Sequence, residues 1–187
     1  MSKRILLLAS GTGSLARAIL VAHQKGAISA EFVGVISDRD SPALEVALEF
    51  KIPALYLPML PDRQEWDRQI FEMARNVKPD LIVSVGFMRI LAADFVNHFR
   101  VINTHPSLLP LYPGAHAVRD ALAAGAQRTG TTVHWVDTGL DTGPVISQRS
   151  VVVEPGDDES TLHERIKIAE RALIVETLAE YGRTGTL

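Results

Sequence analysis

No cysteine occurs anywhere in the 187 residues. That excludes a disulfide framework and any thiolate metal site, and it suits a reducing compartment. An excess of either charge is missing too: 19 Lys and Arg stand against 22 Asp and Glu, a net of -3. Nothing in that balance suggests a nucleic-acid partner. No apolar run reaches membrane-spanning length. The nearest thing to a targeting signal is Lys3-Arg4 followed by Ile5–Ala9, and Gly11-Thr12-Gly13-Ser14 interrupts it too early for a secretory signal. The run reads instead as a buried first strand, and the chain as cytoplasmic with no membrane partner. Internal repeats, linkers and low-complexity segments are also lacking, so 1–187 reads as one domain. An apolar fraction of 47% and a charged fraction of 22% suffice for a sizeable core.

What is present is an alternation of strand and helix signals. Strands are predicted over Arg4–Ala9, Glu31–Ser37, Ala54–Leu57, Leu81–Val85, Val101–Asn103, Thr131–Val136 and Val145–Val153. Helices are predicted over Ser14–Gln24, from Pro42 behind a cap at Asp40 or Ser41, and from Asp62 to about Asn76. Further helices are predicted over Ala92–Phe99 and His116–Ala124, and from Asp158 or Ser160 to about Tyr181, closed by Gly182. The early strands are apolar on both faces. That pattern predicts an α/β fold, a mostly parallel twisted sheet with helices on both faces. Ligands of such sheets bind beyond the carboxyl ends of the strands.

Asn103-Thr104-His105-Pro106-Ser107-Leu108-Leu109-Pro110 lies at one such end. Its prolines, with Pro113 following, predict an ordered, non-helical segment over Thr104–Pro113. An amide and an imidazole two residues apart on extended backbone point the same way. One can polarise a carbonyl while the other handles a proton. The same stretch also reads as a proline-rich turn with a capping Asn and a surface His.

Three other strand ends carry candidate chemistry. Ser10-Gly11-Thr12-Gly13-Ser14 joins the first strand to a helix, and free N–H groups at a helix start suit a phosphate. Gly11, Gly13 and Ala16, with Asp38 ending the second strand, also fit a dinucleotide fingerprint, though no second glycine-rich turn follows. A plain tight turn is the third reading. Gly86-Phe87-Met88-Arg89-Ile90-Leu91 could line a flat ligand site or simply connect a strand to a helix. In Thr131–Pro144, Asp141 is the carboxylate that could favour a charged His105 and raise its pKa, while Asp137 and Asp141 also suit ordinary turns. His105, His116, His134 and Asp141 lack metal-ligand spacing, so no metal is expected. Lys167 and Glu170 share one face of the last helix and could hold sugar hydroxyls or form a solvated surface pair.

These stretches together resemble the phosphoribosylglycinamide formyltransferase family. The resemblance is carried by Ser10–Ser14, Gly86–Leu91, Asn103–Pro110, Gly130-Thr-Thr-Val-His134 and Leu140-Asp-Thr-Gly-Pro144, in family order across nearly the whole chain. It implies a Rossmann-like formyltransferase fold and transfer of a formyl group from 10-formyltetrahydrofolate, a cosubstrate, to the amine of 5'-phosphoribosylglycinamide. Asn103, His105 and Asp141 match the catalytic trio. Gly13, Ser14 and Leu15 match the loop that holds the ribonucleotide phosphate, and Lys167 and Glu170 a helix segment that contacts the ribonucleotide. Arg63, Met88, Arg89, Ile90, Leu91, Asn103, Asp137 and Leu140 match the folate contacts. The implied partners are small-molecule substrates only, with the protein a monomer or homodimer.

Two residues depart from the family pattern. Leu15 replaces a common Asn, which leaves only its backbone N–H for a phosphate. Lys167 replaces a common Gln. The chain ends at Leu187, where family members usually continue. A first strand that starts at once argues against a deformylase with an N-terminal regulatory domain. A short acidic chain argues against a tRNA formyltransferase with a nucleic-acid-binding domain.

Overall fold

A computed structural model of the protein describes residues 2–187. Its strands are β1 (Lys3–Ala9), β2 (Ala30–Ser37), β3 (Ala54–Tyr56), β4 (Leu81–Ser84), β5 (Val101–His105), β6 (Arg128–Trp135) and β7 (Val145–Val152). Its helices are α1 (Ser14–Gln24), α2 (Pro42–Glu49), α3 (Arg63–Val77), α4 (Ala93–His98), α5 (Ala117–Ala123) and α6 (Glu159–Thr184). The strands form one sheet in the order β3-β2-β1-β4-β5-β6-β7. β1 to β5 are mutually parallel, β6 is antiparallel to β5, and β7 is antiparallel to β6.

The apolar runs explain the central position of β1. Ile5 to Ala9 are all fully buried. Successive side chains of a strand point to opposite faces. Ile5, Leu7 and Ala9 therefore join a core built with α1, α2 and α6, while Leu6 and Leu8 join one built with α3 and α4. Burying a Leu or Ile side chain contributes about 1.5–3 kcal/mol, so both faces of β1 anchor the fold. On the α3 side Trp66, Ile70 and Ala74 follow a four-residue spacing and are buried.

Local signals set the helix starts. The Asp62 carboxylate accepts from the Gln64 and Glu65 N–H groups and caps α3. Asp158 and Thr161 form a capping box at α6. Ser41 precedes Pro42 at the start of α2, but its hydroxyl bonds to Ser37 instead.

Three boundaries differ from expectation by two residues or more, each for a tertiary reason. β5 runs on to His105 because Thr104 and His105 pair with Val133 and Thr132 of β6. β6 starts earlier, at Arg128, because β7 pairs along it to Val152. α6 does not stop at Gly182. A Cβ there would meet the Ser29 carbonyl oxygen at 2.8 Å, so this glycine permits close helix packing, and Gly185 (φ 77°) ends the helix instead.

From β1 the chain moves outward through β2 and β3, and α3 then returns it to β4 on the other side of β1. The loops after β1 and β4 thus diverge at a topological switch point, where such sheets open a crevice. No helix among the described residues is long and apolar enough to cross a membrane.

Candidate active site

Register sets the centre of the site. Asn103 pairs with His134 and His105 with Thr132, so these four side chains share one face of the β5–β6 ladder. Thr104 points to the opposite face.

His105 is buried at 4% exposure, which overturns the reading of a surface histidine. Its Nε2 lies 2.9 Å from the Tyr112 carbonyl oxygen. A carbonyl only accepts, so Nε2 carries a proton there. Nδ1 is left facing Oδ2 of Asp141 at 3.4 Å. Asp141 adopts a left-handed backbone (φ 55°), and its Oδ2 also accepts from the Gly114 N–H at 2.8 Å. Positive φ is uncommon for a residue with a Cβ and marks a geometry held by its surroundings. Oδ1 of the same carboxylate lies 3.6 Å from Nε2 of His134.

His134 is arranged in the opposite sense. Its Nδ1 donates to the Trp135 carbonyl oxygen at 2.9 Å, leaving Nε2 to accept from Nδ2 of Asn103 at 3.3 Å. Burial pushes the His134 imidazole below its ordinary range, against upward pulls from the Trp135 carbonyl and Asp141. His134 therefore favours the neutral ring that this acceptor role requires.

Buried polar contacts hold the proline-bracketed segment. Thr132 Oγ1 donates to the Ser107 carbonyl oxygen at 2.6 Å and accepts from the Leu109 N–H at 3.1 Å. Gln148 donates to the Leu109 carbonyl oxygen at 2.8 Å. The segment is non-helical, as its prolines predict.

The loop after β1 ends in Gly13, which has φ 71° and precedes the first turn of α1. The N–H groups of Ser14 and Leu15 have no partner within the helix, as in any first turn. The Leu15 side chain is buried in the core, so only its backbone faces the loop.

Met88 and Ile90, on the loop after β4, are 66% and 72% exposed, and Leu140, on the loop after β6, is 58% exposed. Arg63 reaches this region. Its guanidinium donates to the Ile90 carbonyl oxygen, pairs with Asp67 at 2.9 Å and lies over the Trp66 ring. Asp137 accepts from the Gly139 N–H and the Thr142 hydroxyl, which is turn chemistry.

Asp38 does not serve as a free ribose-binding carboxylate. Its side chain is fully buried and bonded to Ser10 and Arg89, which removes the support for a dinucleotide site.

The two α6 residues separate. Lys167 pairs with Glu164 at 2.7 Å toward solvent. Glu170 is 7% exposed and lies near Thr104, whose buried hydroxyl makes no well-formed hydrogen bond. Burial pushes the Glu170 carboxyl above its ordinary range, against a smaller opposing pull from Thr104. His116 is exposed at the start of α5. Among the described residues no group of three or more His, Asp or Glu could hold a metal ion.

His134 and the Gly114 N–H are the parts that sequence reasoning undervalued. His134 alternates with Thr132 along β6, and that period of two placed it beside Asn103 once the strands were paired. No sequence signal announced Gly114.

This arrangement can present amide and imidazole N–H donors to a developing oxyanion beside a carboxylate. Residues 3–178 match the formyl transferase family model. The chain is 47% identical to phosphoribosylglycinamide formyltransferase of Mycobacterium tuberculosis H37Rv, over 98% of this chain and 91% of that protein. It is 40% identical to the Escherichia coli K12 enzyme of the same name, over 90% and 82%. The crystal structure of glycinamide ribonucleotide transformylase 1 from Symbiobacterium toebii superposes with a TM-score of 0.93 at 36% identity, covering 97% of this chain and 88% of that one. A Rossmann-like sheet with its polar cluster at the strand ends, matched in sequence and shape over nearly its full length, makes this chain an enzyme of the phosphoribosylglycinamide formyltransferase family, which transfers formyl groups in purine biosynthesis.

Proposed function

We propose that the chain transfers the formyl group of 10-formyltetrahydrofolate directly to the amine of 5'-phosphoribosylglycinamide. The convergence of Asn103, His105, Asp141 and His134 at the end of β5 carries this reading.

The ribonucleotide phosphate sits on the backbone N–H groups of Gly13, Ser14 and Leu15, where the α1 dipole favours an anion. Glu170 holds ribose hydroxyls, and Lys167 contributes charge nearby. On the other side, Met88, Arg89, Ile90, Leu91 and Leu140 line the folate subsite, with Arg63 against an anionic group and Asp137 shaping the loop.

Attack of the amine on the formyl carbon develops negative charge on the formyl oxygen. One Asn103 N–H is held by His134 and the other is free to donate to that oxygen. His105, held by the Tyr112 carbonyl at Nε2, uses Nδ1 as its working nitrogen. It donates to the oxyanion when charged and then delivers a proton to the leaving folate nitrogen. Asp141 balances the imidazolium and assists proton transfer through a water. No step requires a metal ion.

The test is formyl transfer followed by absorbance, with a control lacking the ribonucleotide. Ribonucleotide-dependent turnover is expected, and Asn103→Ala should lower kcat by about two to three decades with little change in KM. Turnover without the ribonucleotide would make water the acceptor and refute the assignment, as would undiminished kcat in Asn103→Ala.

A further inference from the structure

Asp38 is a carboxylate with no solvent exposure that the transfer chemistry does not use. It follows the last residue of β2, beside the ends of β1 and β4. Its Oδ1 accepts from the Ser10 hydroxyl at 2.5 Å and its Oδ2 from Nε of Arg89 at 2.5 Å. Arg39, more than half exposed, approaches the same oxygen at 3.6 Å. The Ser10 hydroxyl in turn accepts from the Met88 N–H at 2.9 Å, and the Ser10 N–H donates to the Gly86 carbonyl oxygen at 3.1 Å.

Ser10 opens the loop that leads to Gly13, and Met88 and Arg89 lie in the segment with the bare apolar side chains. Met88 and Ile90 are largely exposed and do not pin that segment by packing. Phe87 before them is buried against Trp66, and the rest of the segment is held by the Ser10 N–H at Gly86, by the Ser10 hydroxyl at Met88, by Asp38 at Arg89 and by Arg63 at Ile90. The ties at Met88 and Arg89 both pass through the Asp38 carboxylate, directly or by way of the Ser10 hydroxyl. Charge-assisted bonds in a buried site are the stronger kind, and a buried carboxylate left without its partners is costly. The network is therefore a rigid joint between two loops rather than a surface pair.

We propose that Asp38 is a positioning residue that clamps the loop after β1 to the segment after β4, so that one buried carboxylate sets both substrate subsites. The inference rests on the assignment of those loops to the ribonucleotide and the folate. A residue that only stabilised the fold would lower the melting temperature and leave the two KM values alone. A clamp moves both KM values together, because each loop is held through the other.

The experiment is steady-state kinetics of Asp38→Asn and Ser10→Ala, varying each substrate against saturating amounts of the other. The expected result is a rise of about fivefold or more in KM for both substrates, with kcat of Asp38→Asn within about twofold of wild type. The double variant should rise no further than the worse single one, since both changes cut the same network. A rise for one substrate alone, no rise, or multiplying effects would overturn the clamp while leaving the formyl transfer intact. Wild-type protein without ribonucleotide-dependent transfer would refute the function and the clamp together. Should Asp38→Asn fail to fold, Ser10→Ala decides alone by the same two KM values.

Discussion

Nδ2 of Asn103 lies 3.3 Å from Nε2 of His134, and that contact decides which way the amide faces. The Trp135 carbonyl holds the proton on Nδ1, so Nε2 can only accept, and Asn103 must turn its N–H₂ end toward it. In the proposed mechanism His134 therefore acts on the reaction through Asn103. His134→Leu should lower kcat by about 10-fold or more, a smaller loss than in Asn103→Ala. The double variant should be no slower than Asn103→Ala alone. Multiplying losses in that cycle would mean that His134 acts independently of the amide.

The same histidine gives a pH signature. Burial depresses its pKa in the folded protein. Between that lowered value and the ordinary ~6.5, the unfolded chain binds a proton that the folded chain does not, so stability falls as pH drops through this window. His163 is also lowered by burial and adds to the same trend. These two histidines should lower the melting temperature as the pH drops below about 6.5, and His134→Gln should remove its part of that slope while His163 keeps the rest. An unchanged slope in the variant would show that His134 is not a source of the acid sensitivity.

Glu170 works with the opposite sign. Its carboxyl is pushed up by burial, so the folded state holds a proton that the unfolded chain has lost. Stability from this group is present below the unfolded value and is lost as pH rises through the folded one. Glu170→Gln removes that loss, and the melting temperature near neutral pH should rise. If the side chain also holds ribose hydroxyls, the same change should raise the ribonucleotide KM with kcat nearly unchanged. A more stable variant with unaltered KM would leave Glu170 a merely buried acid.

Asp141 faces two imidazole nitrogens and one backbone N–H from a left-handed backbone. Asparagine tolerates that backbone, so Asp141→Asn tests the charge rather than the fold. The variant should fold normally and lose about 10²–10⁴ in kcat, the range of general acid–base assistance. Wild-type turnover in Asp141→Asn would remove the carboxylate from the mechanism.

Much of the sheet was legible because β1, β2 and β4 are apolar on both faces, a pattern that a parallel sheet buried between helices produces. The reversal to antiparallel pairing at β6 was not written in any local pattern, since strand direction depends on how a connection returns. That reversal lengthened β5 and set His134 beside Asn103. Gly182 misled as a helix end, because its purpose is the close approach of α6 to Ser29, a contact distant in sequence. Asp38 misled in a similar way. A carboxylate at the end of β2 suits a ribose, and only the three-dimensional partners Ser10 and Arg89 show that it is already occupied.

Gly13 joins the fold to the site most directly. It holds φ 71° at the start of α1, and a Cβ placed there would come within 2.8 Å of the Ala43 Cα. Both the backbone conformation and the space require glycine. Gly13→Ala must shift α1 from α2 or abandon the left-handed turn, and either movement redirects the N–H groups of Ser14 and Leu15. Strain of this kind costs about 1–3 kcal/mol. The expected outcome is a destabilised protein whose ribonucleotide KM rises by about 10-fold or more, while its affinity for the folate stays close to wild type, because the Arg63–Ile90 contact is untouched. Thermal melting with separate titrations of the two substrates measures both effects. Equal weakening of both affinities would place the damage in the Ser10–Asp38–Arg89 joint rather than in the turn at Gly13.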